Sequence, residues 1–166
     1  MIDVHPIRNR ADLKTFIKFP WEVYRNYPQW VLNLIIDRLQ YFSHKKNPFF
    51  HHSDAQLFLA RRDGDVISRI AAVRYERHIE VYDDDTGFFG FFECTDDLEA
   101  TSQLFAAAKE WLADEGMSSI RGPVNPSLNY ECGLLIEGFA TPPFFMMTHN
   151  RPYYGDLIEA NGFSPL

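Results

Sequence analysis

The chain has 166 residues, 46% apolar and 16% aromatic, enough for one domain with a sizeable core and too apolar for disorder. Its 16 basic residues are outnumbered by 23 acidic ones. The net charge of −7 argues against nucleic acid as a partner, because phosphate binding needs a basic footprint.

No apolar run approaches the roughly 18 residues of a membrane span, and the two cysteines, Cys94 and Cys132, lack metal-ligand spacing. The expectation is a soluble, cytoplasmic protein of one domain, residues 1–166, without membrane contact.

Ile2 to Ile7 alternates weakly and reads as a first strand. Asn9, with Asp12 three residues later, is a cap for a helix through Phe19. Pro20 and Pro28 punctuate the link to a second helix, where Val31, Ile35, Leu39 and Phe42 recur on one face. A loop, His44 to Pro48, closes it.

Three strands follow. Gln56 to Arg61 ends at Asp63-Gly64, a strong hairpin signal. Val66 to Tyr75 comes next and extends toward Val81. The turn Asp83 to Gly87 reads as a solvated hairpin end rather than a calcium loop, since later ligands are missing. Phe88 to Cys94 is apolar on both faces and belongs inside a sheet.

Asp97 to Glu115 is a long helix, with Asp96 and Glu99 as its capping box and Gly116 at its left-handed end. Ser119 to Val124 reads as another strand. From Arg121 to Phe163 the chain holds five of its ten prolines and five of its nine glycines. Between those breaks, Leu134 to Ile136 and Phe144 to Met147 read as short buried strands. A last helix starts near Pro152 and stops at Gly162.

Rigid polar loops held against strands are where sites form. This stretch supplies Asn125, Ser127, Asn129, Glu131, Cys132, His149, Asn150, Tyr153 and Tyr154. Cys132 follows an acidic residue, which opposes a thiolate, so a buried structural cysteine is expected. His51 and His52 would point to opposite faces of a strand, so no metal site is expected from them, nor with His44 or His78.

The order of elements, with the closing Glu159-Ala160-Asn161-Gly162-Phe163, resembles the GNAT superfamily of acyl-CoA N-acyltransferases. Asn47-Pro48-Phe49-Phe50, Gly87 to Glu93, Gly122-Pro123, Pro126-Ser127, Asn129, Glu131 to Leu135, Met146-Met147, Asn150 and Pro152-Tyr153-Tyr154 resemble a bacterial GNAT-like subfamily about twice this length. The resemblance implies an α/β (α+β) fold, a mixed and largely antiparallel sheet flanked by helices. It implies acetyl-CoA or another acyl-CoA as cofactor and a small-molecule or peptide amine as acceptor.

In that superfamily a glycine-rich loop between the fourth strand and the long helix holds the cofactor pyrophosphate at the helix N-terminus. The matching segment, Glu93 to Glu99, carries four carboxylates, no glycine and no basic residue. Tight acetyl-CoA binding is therefore not expected there.

Glu93 stands where the resemblance places a general base, tuned upward by Phe91 and Phe92, though a turn carboxylate fits the same position. The thiolate-protonating tyrosine would fall on Ile158. Tyr153 and Tyr154 could substitute, or form an interface pair. Asn125, Ser127, Asn129, Glu131 and Asn150 are the candidate substrate-binding residues, with Asn129 and Glu131 expected to be hydrogen-bonded.

Only Ser164-Pro165-Leu166 follow Phe163, where such a fold adds one more strand, so a homodimer or a partner domain is expected. Two readings stand: an N-acyltransferase with an unusual cofactor site, or a non-catalytic GNAT-fold binding or assembly domain pairing with another GNAT-like unit.

Overall fold

The computed structural model describes residues 1–166. Strand β1, Ile2–Pro6, leads to helix α1, Arg10–Val23, then to α2, Ile35–Tyr41, and a 3₁₀ turn at Pro48–His51. Strands β2, Ser53–Arg62, and β3, Asp65–Tyr75, are followed by α3, Glu76–Tyr82, and β4, Thr86–Cys94. The chain closes with α4, Leu98–Asp114, β5, Ser119–Arg121, β6, Val124–Asn125, β7, Glu131–Cys132, and α5, Tyr154–Ala160.

β1 to β5 form one sheet in sequence order, antiparallel except for the parallel pair β4–β5. The β2–β3 hairpin turns at Asp63 and Gly64, both with positive φ, as a two-residue turn of right twist requires. β4 lies inside the sheet and is apolar on both faces because both faces are covered. Phe89 and Phe92 pack with Phe105, Leu104 and Leu112 of α4 and with α5. Phe88 and Phe91 pack on the other side with Phe16 and Ile17 of α1, and with Phe42 and Phe49.

Several expectations change. The run after Tyr75 does not extend β3 but turns into α3, which buries His78 against the ring of Phe88 and beside Asp84. α1 continues to Val23 with Pro20 inside it. α2 starts only at Ile35, leaving Val31 exposed before it. The cap of α4 is Asp97, not Asp96, its side chain accepting from the Ala100 N–H at 3.0 Å.

Neither Leu134–Ile136 nor Phe144–Met147 is a strand. The Asn150 amide stands in for a neighbouring strand at Leu135, accepting its N–H at 2.7 Å and donating to its carbonyl at 3.3 Å. Phe144 to Met147 lie exposed in a turn with Met146 at positive φ.

Candidate functional site

β5 pairs with β4 only as far as Phe88, and the chain then leaves the sheet at Gly122. Beyond that point β4 borders a cavity of about 280 Å³. Trp21, Trp30 and the segment 143–150 wall it, and Arg69, Glu93 and Tyr154 reach it from the sheet and α5.

The local sequence explains why Arg69 is there. Pro20 has no N–H, so the Phe16 carbonyl four residues back lacks its helical partner. Arg69 takes it, donating from Nη1 at 2.6 Å, while its guanidinium lies 4.7 Å from the Phe16 ring centroid. The other arm, Nη2, sits 3.7 Å from Glu93 Oε1.

On its far side Glu93 accepts from the Tyr154 hydroxyl at 2.7 Å, and that hydroxyl accepts the Cys94 N–H at 3.0 Å. Tyr153 donates to the Cys94 carbonyl at 2.8 Å. The tyrosine pair thus completes the hydrogen bonding at the end of β4. The Tyr24 hydroxyl lies beside Glu93 and donates to the His149 carbonyl at 3.4 Å.

Burial raises the Glu93 carboxyl, against the pull of the Arg69 cation and the Tyr154 hydrogen bond. Burial lowers Arg69 to about 10, with Glu93 opposing, so the guanidinium stays charged at neutral pH. Tyr24 and Tyr154 are pushed up by burial and by Glu93 and remain phenols, and Tyr153 is pushed up to about 12, mainly by burial. Burial, then Glu93, Asp96 and Asp97, raises Cys94 and keeps it a thiol. A carboxylate whose pKa is raised, beside a mixed polar and apolar cavity, is equipped to hold an ammonium group and to accept its proton.

A second polar group lines the same cavity. Asn125 accepts the Phe91 N–H at 2.6 Å, where Phe91 takes a positive φ and drops out of the ladder. Its amide donates to Glu131 Oε2 at 3.3 Å, and Arg38 lies 3.6 Å from the other oxygen of Glu131. Tyr41 fixes the Asn125 carbonyl at 2.5 Å.

The remaining candidates are placed differently. Ser127 is buried and accepts the Asn129 N–H at 3.3 Å, closing a local turn. The Asn129 side chain is exposed and reaches no partner, contrary to expectation, because that turn aims it outward. Cys132 is exposed rather than buried, since β7 is an outer ribbon strand. Sequence reasoning missed Tyr24, Trp30, Arg38 and Arg69. For Arg69 a signal existed: it is the one charge in the otherwise uncharged run Val66 to Val73.

The β4–α4 junction, where the resemblance places an acyl-CoA pyrophosphate, carries Glu93, Asp96, Asp97 and Glu99. Asp97 already uses an N–H of the α4 N-terminus, and the nearest cation, Arg62, is spent on Asp97 at 2.6 Å and Glu99 at 2.9 Å. β6 packs directly on β4 there, since a Cβ on Gly90 would stand 1.6 Å from the Val124 carbonyl oxygen.

An internal β4 splayed from a parallel β5, with a long helix between them and a cavity beyond the splay, defines a GNAT-type acyltransferase fold. The chain superimposes on a tandem GNAT protein of the clavulanic acid biosynthesis pathway, solved without acetyl-CoA, with a TM-score of 0.63 at 10% identity. That match covers 98% of this chain and 43% of the other. A GNAT-family acetyltransferase from Staphylococcus aureus Mu50 matches with a TM-score of 0.53 at 13% identity, over 75% of this chain and 74% of that one. The chain is therefore a GNAT-fold domain.

In sequence it is 42% identical over 160 residues to Protein YghO of Escherichia coli K12, covering 96% of this chain and 41% of that protein. It is 37% identical over 164 residues to the bacterial ceramide synthase of Caulobacter vibrioides, covering 98% of this chain and 43% of that protein. The chain thus spans about two-fifths of the length of these curated relatives. No protein-family model matches it.

Proposed function

We propose that this chain is the acceptor-binding module of a longer acyl-CoA-dependent N-acyltransferase, and that its acceptor is a long-chain primary amine. The observation that carries this reading is Glu93, held by Arg69 and Tyr154 at a cavity whose outer wall is Trp30, Val31 and the apolar segment Phe144–Met147. Glu93 holds the ammonium group and takes its proton, leaving the amine lone pair free. The apolar wall receives the chain of the amine.

The name of the Caulobacter relative supports the class, since a ceramide is an amide formed on a long-chain amine. Acyl-CoA is assigned to the rest of the longer protein or to a second GNAT-like unit, because the β4–α4 junction is acidic and capped. Asn125 and Glu131 shape the inner wall, and Asn150 holds the segment that carries it. Tyr153 and Tyr154 position Glu93 and the end of β4.

Calorimetric titration tests this directly. Dodecylamine is expected to bind the chain, and Glu93→Gln to weaken it by about tenfold or more, equivalent to about 1.4 kcal/mol. Acetyl-CoA and palmitoyl-CoA are expected to show no binding. Low-micromolar acetyl-CoA binding that disappears when Asp96, Asp97 and Glu99 are replaced would overturn the assignment. Unchanged amine affinity in Glu93→Gln would remove Glu93 from the site.

A further inference from the structure

We propose that the rim of this cavity is a docking surface for a phospholipid bilayer, through which the long-chain amine passes into the site. The inference rests on the acceptor reading above. Phe144 and Phe145 are 87% and 92% exposed at the cavity wall, and Val31 and Met147 beside them are also exposed. Two phenylalanines at that exposure present on the order of 300 Å² of apolar surface, which soluble surfaces seldom leave open without a purpose.

The rim is one continuous structure made from two segments. Tyr27 donates to the Phe139 carbonyl at 3.3 Å, Gln29 to that of Ala140 at 3.4 Å, and Tyr24 to that of His149 at 3.4 Å. The Arg151 guanidinium lies over the Tyr27 ring at 4.8 Å. Trp30 stacks on Tyr24 at 4.9 Å, placing an indole at the rim, the residue type that favours the headgroup level of a bilayer.

Charge points to the same occupant. In a chain of net charge −7, residues 26–36 and 139–150 contain no Asp, Glu, Lys or Arg, and Arg151, which follows them, is held over the Tyr27 ring. An aromatic rim with so little charge enters the interface chiefly by burying apolar side chains. A bilayer at this rim would meet Phe144 and Phe145 and supply the long-chain amine through the cavity they wall. The expectation of no membrane contact drawn from sequence considered only spanning segments, and a rim of this kind needs none.

The test uses phosphatidylcholine vesicles with brominated acyl chains and the fluorescence of Trp21 and Trp30, with Trp111→Phe as background. Quenching that persists in 0.5 M salt is expected, together with about a tenfold loss of vesicle affinity in Phe144→Ser/Phe145→Ser. Near-UV circular dichroism checks that the variant keeps its packing. Dodecylamine binding without vesicle binding overturns the docking surface and leaves the acceptor reading standing. Vesicle binding without amine binding supports the surface and removes that reading beneath it. Dimers that dissociate in the double variant, with no quenching, would make a second copy of this chain the occupant and overturn the proposal.

Discussion

Arg69 donates to the backbone carbonyl of Phe16 at 2.6 Å, an acceptor left free because Pro20 has no N–H to offer it. A helix-breaking residue in α1 thus fixes the cation that faces Glu93. Both charges are buried, and removing one partner of such a pair costs more than removing both. Arg69→Leu is expected to destabilise the fold by about 3–5 kcal/mol in urea unfolding, because Glu93 then lacks its counter-charge. Adding Glu93→Leu should recover part of that loss. Additive penalties in this double-mutant cycle would show that the two side chains do not act as a pair.

Asn125 accepts the Phe91 N–H at 2.6 Å and so satisfies the donor released where Phe91 leaves the β4 ladder. Asn125→Ala orphans that buried donor, at a cost of about 1–3 kcal/mol. Gly90→Ala should be worse and should abolish soluble expression, because its Cβ would stand 1.6 Å from the Val124 carbonyl oxygen, a backbone atom that cannot swing aside. Wild-type melting of either variant would contradict this account of how β6 packs on β4.

Much of the frame was legible because it follows from local chemistry. The Asn9 cap, the Asp63-Gly64 turn and the doubly apolar β4 each announce themselves within a few residues. Asn125 and Glu131 were legible as candidates because a polar residue between prolines has few other reasons to be there. What stayed hidden depends on distant partners. Leu134 to Ile136 looks like a strand, but its backbone is served by the Asn150 side chain. Phe144 to Met147 looks buried by composition, yet nothing in this chain covers it. Arg69 and Tyr24 are 45 residues apart and meet Glu93 only once the sheet has formed.

The two cysteines should differ sharply in reactivity. Burial and the nearby Glu93, Asp96 and Asp97 carboxylates push Cys94 up and keep it protonated, whereas Cys132 is exposed on β7. The thiolate is the reactive form. At pH 7.5 a thiol reagent is expected to modify one cysteine per chain, mapped by mass spectrometry to Cys132, and the second only in denaturant. Rapid native labelling of Cys94 would mean that the end of β4 opens far more readily than its tyrosine hydrogen bonds imply.

Glu93 gives the proposed site a pH dependence whose direction can be worked out. Burial raises its pKa, and the Arg69 cation together with the Tyr154 hydrogen bond offsets only part of that rise. The native state therefore holds the Glu93 proton more tightly than the unfolded chain does. Its contribution to stability is fully present below the ordinary carboxylate pKa of about 4.3 and is lost as pH rises through the raised native value. Amine binding runs the opposite way, because the ionised carboxylate is the form that holds an ammonium group. Dodecylamine itself stays charged across this range, as a lysine side chain does with a pKa of about 10.4. Its affinity should therefore fall on acidification with a midpoint above about 4.3, and binding near that midpoint should release protons. Titrations in two buffers of different ionisation enthalpy measure that release. Glu93→Gln should flatten the profile, and an affinity equally flat in the wild type from pH 8 to pH 4 would show that Glu93 does not meet the amine.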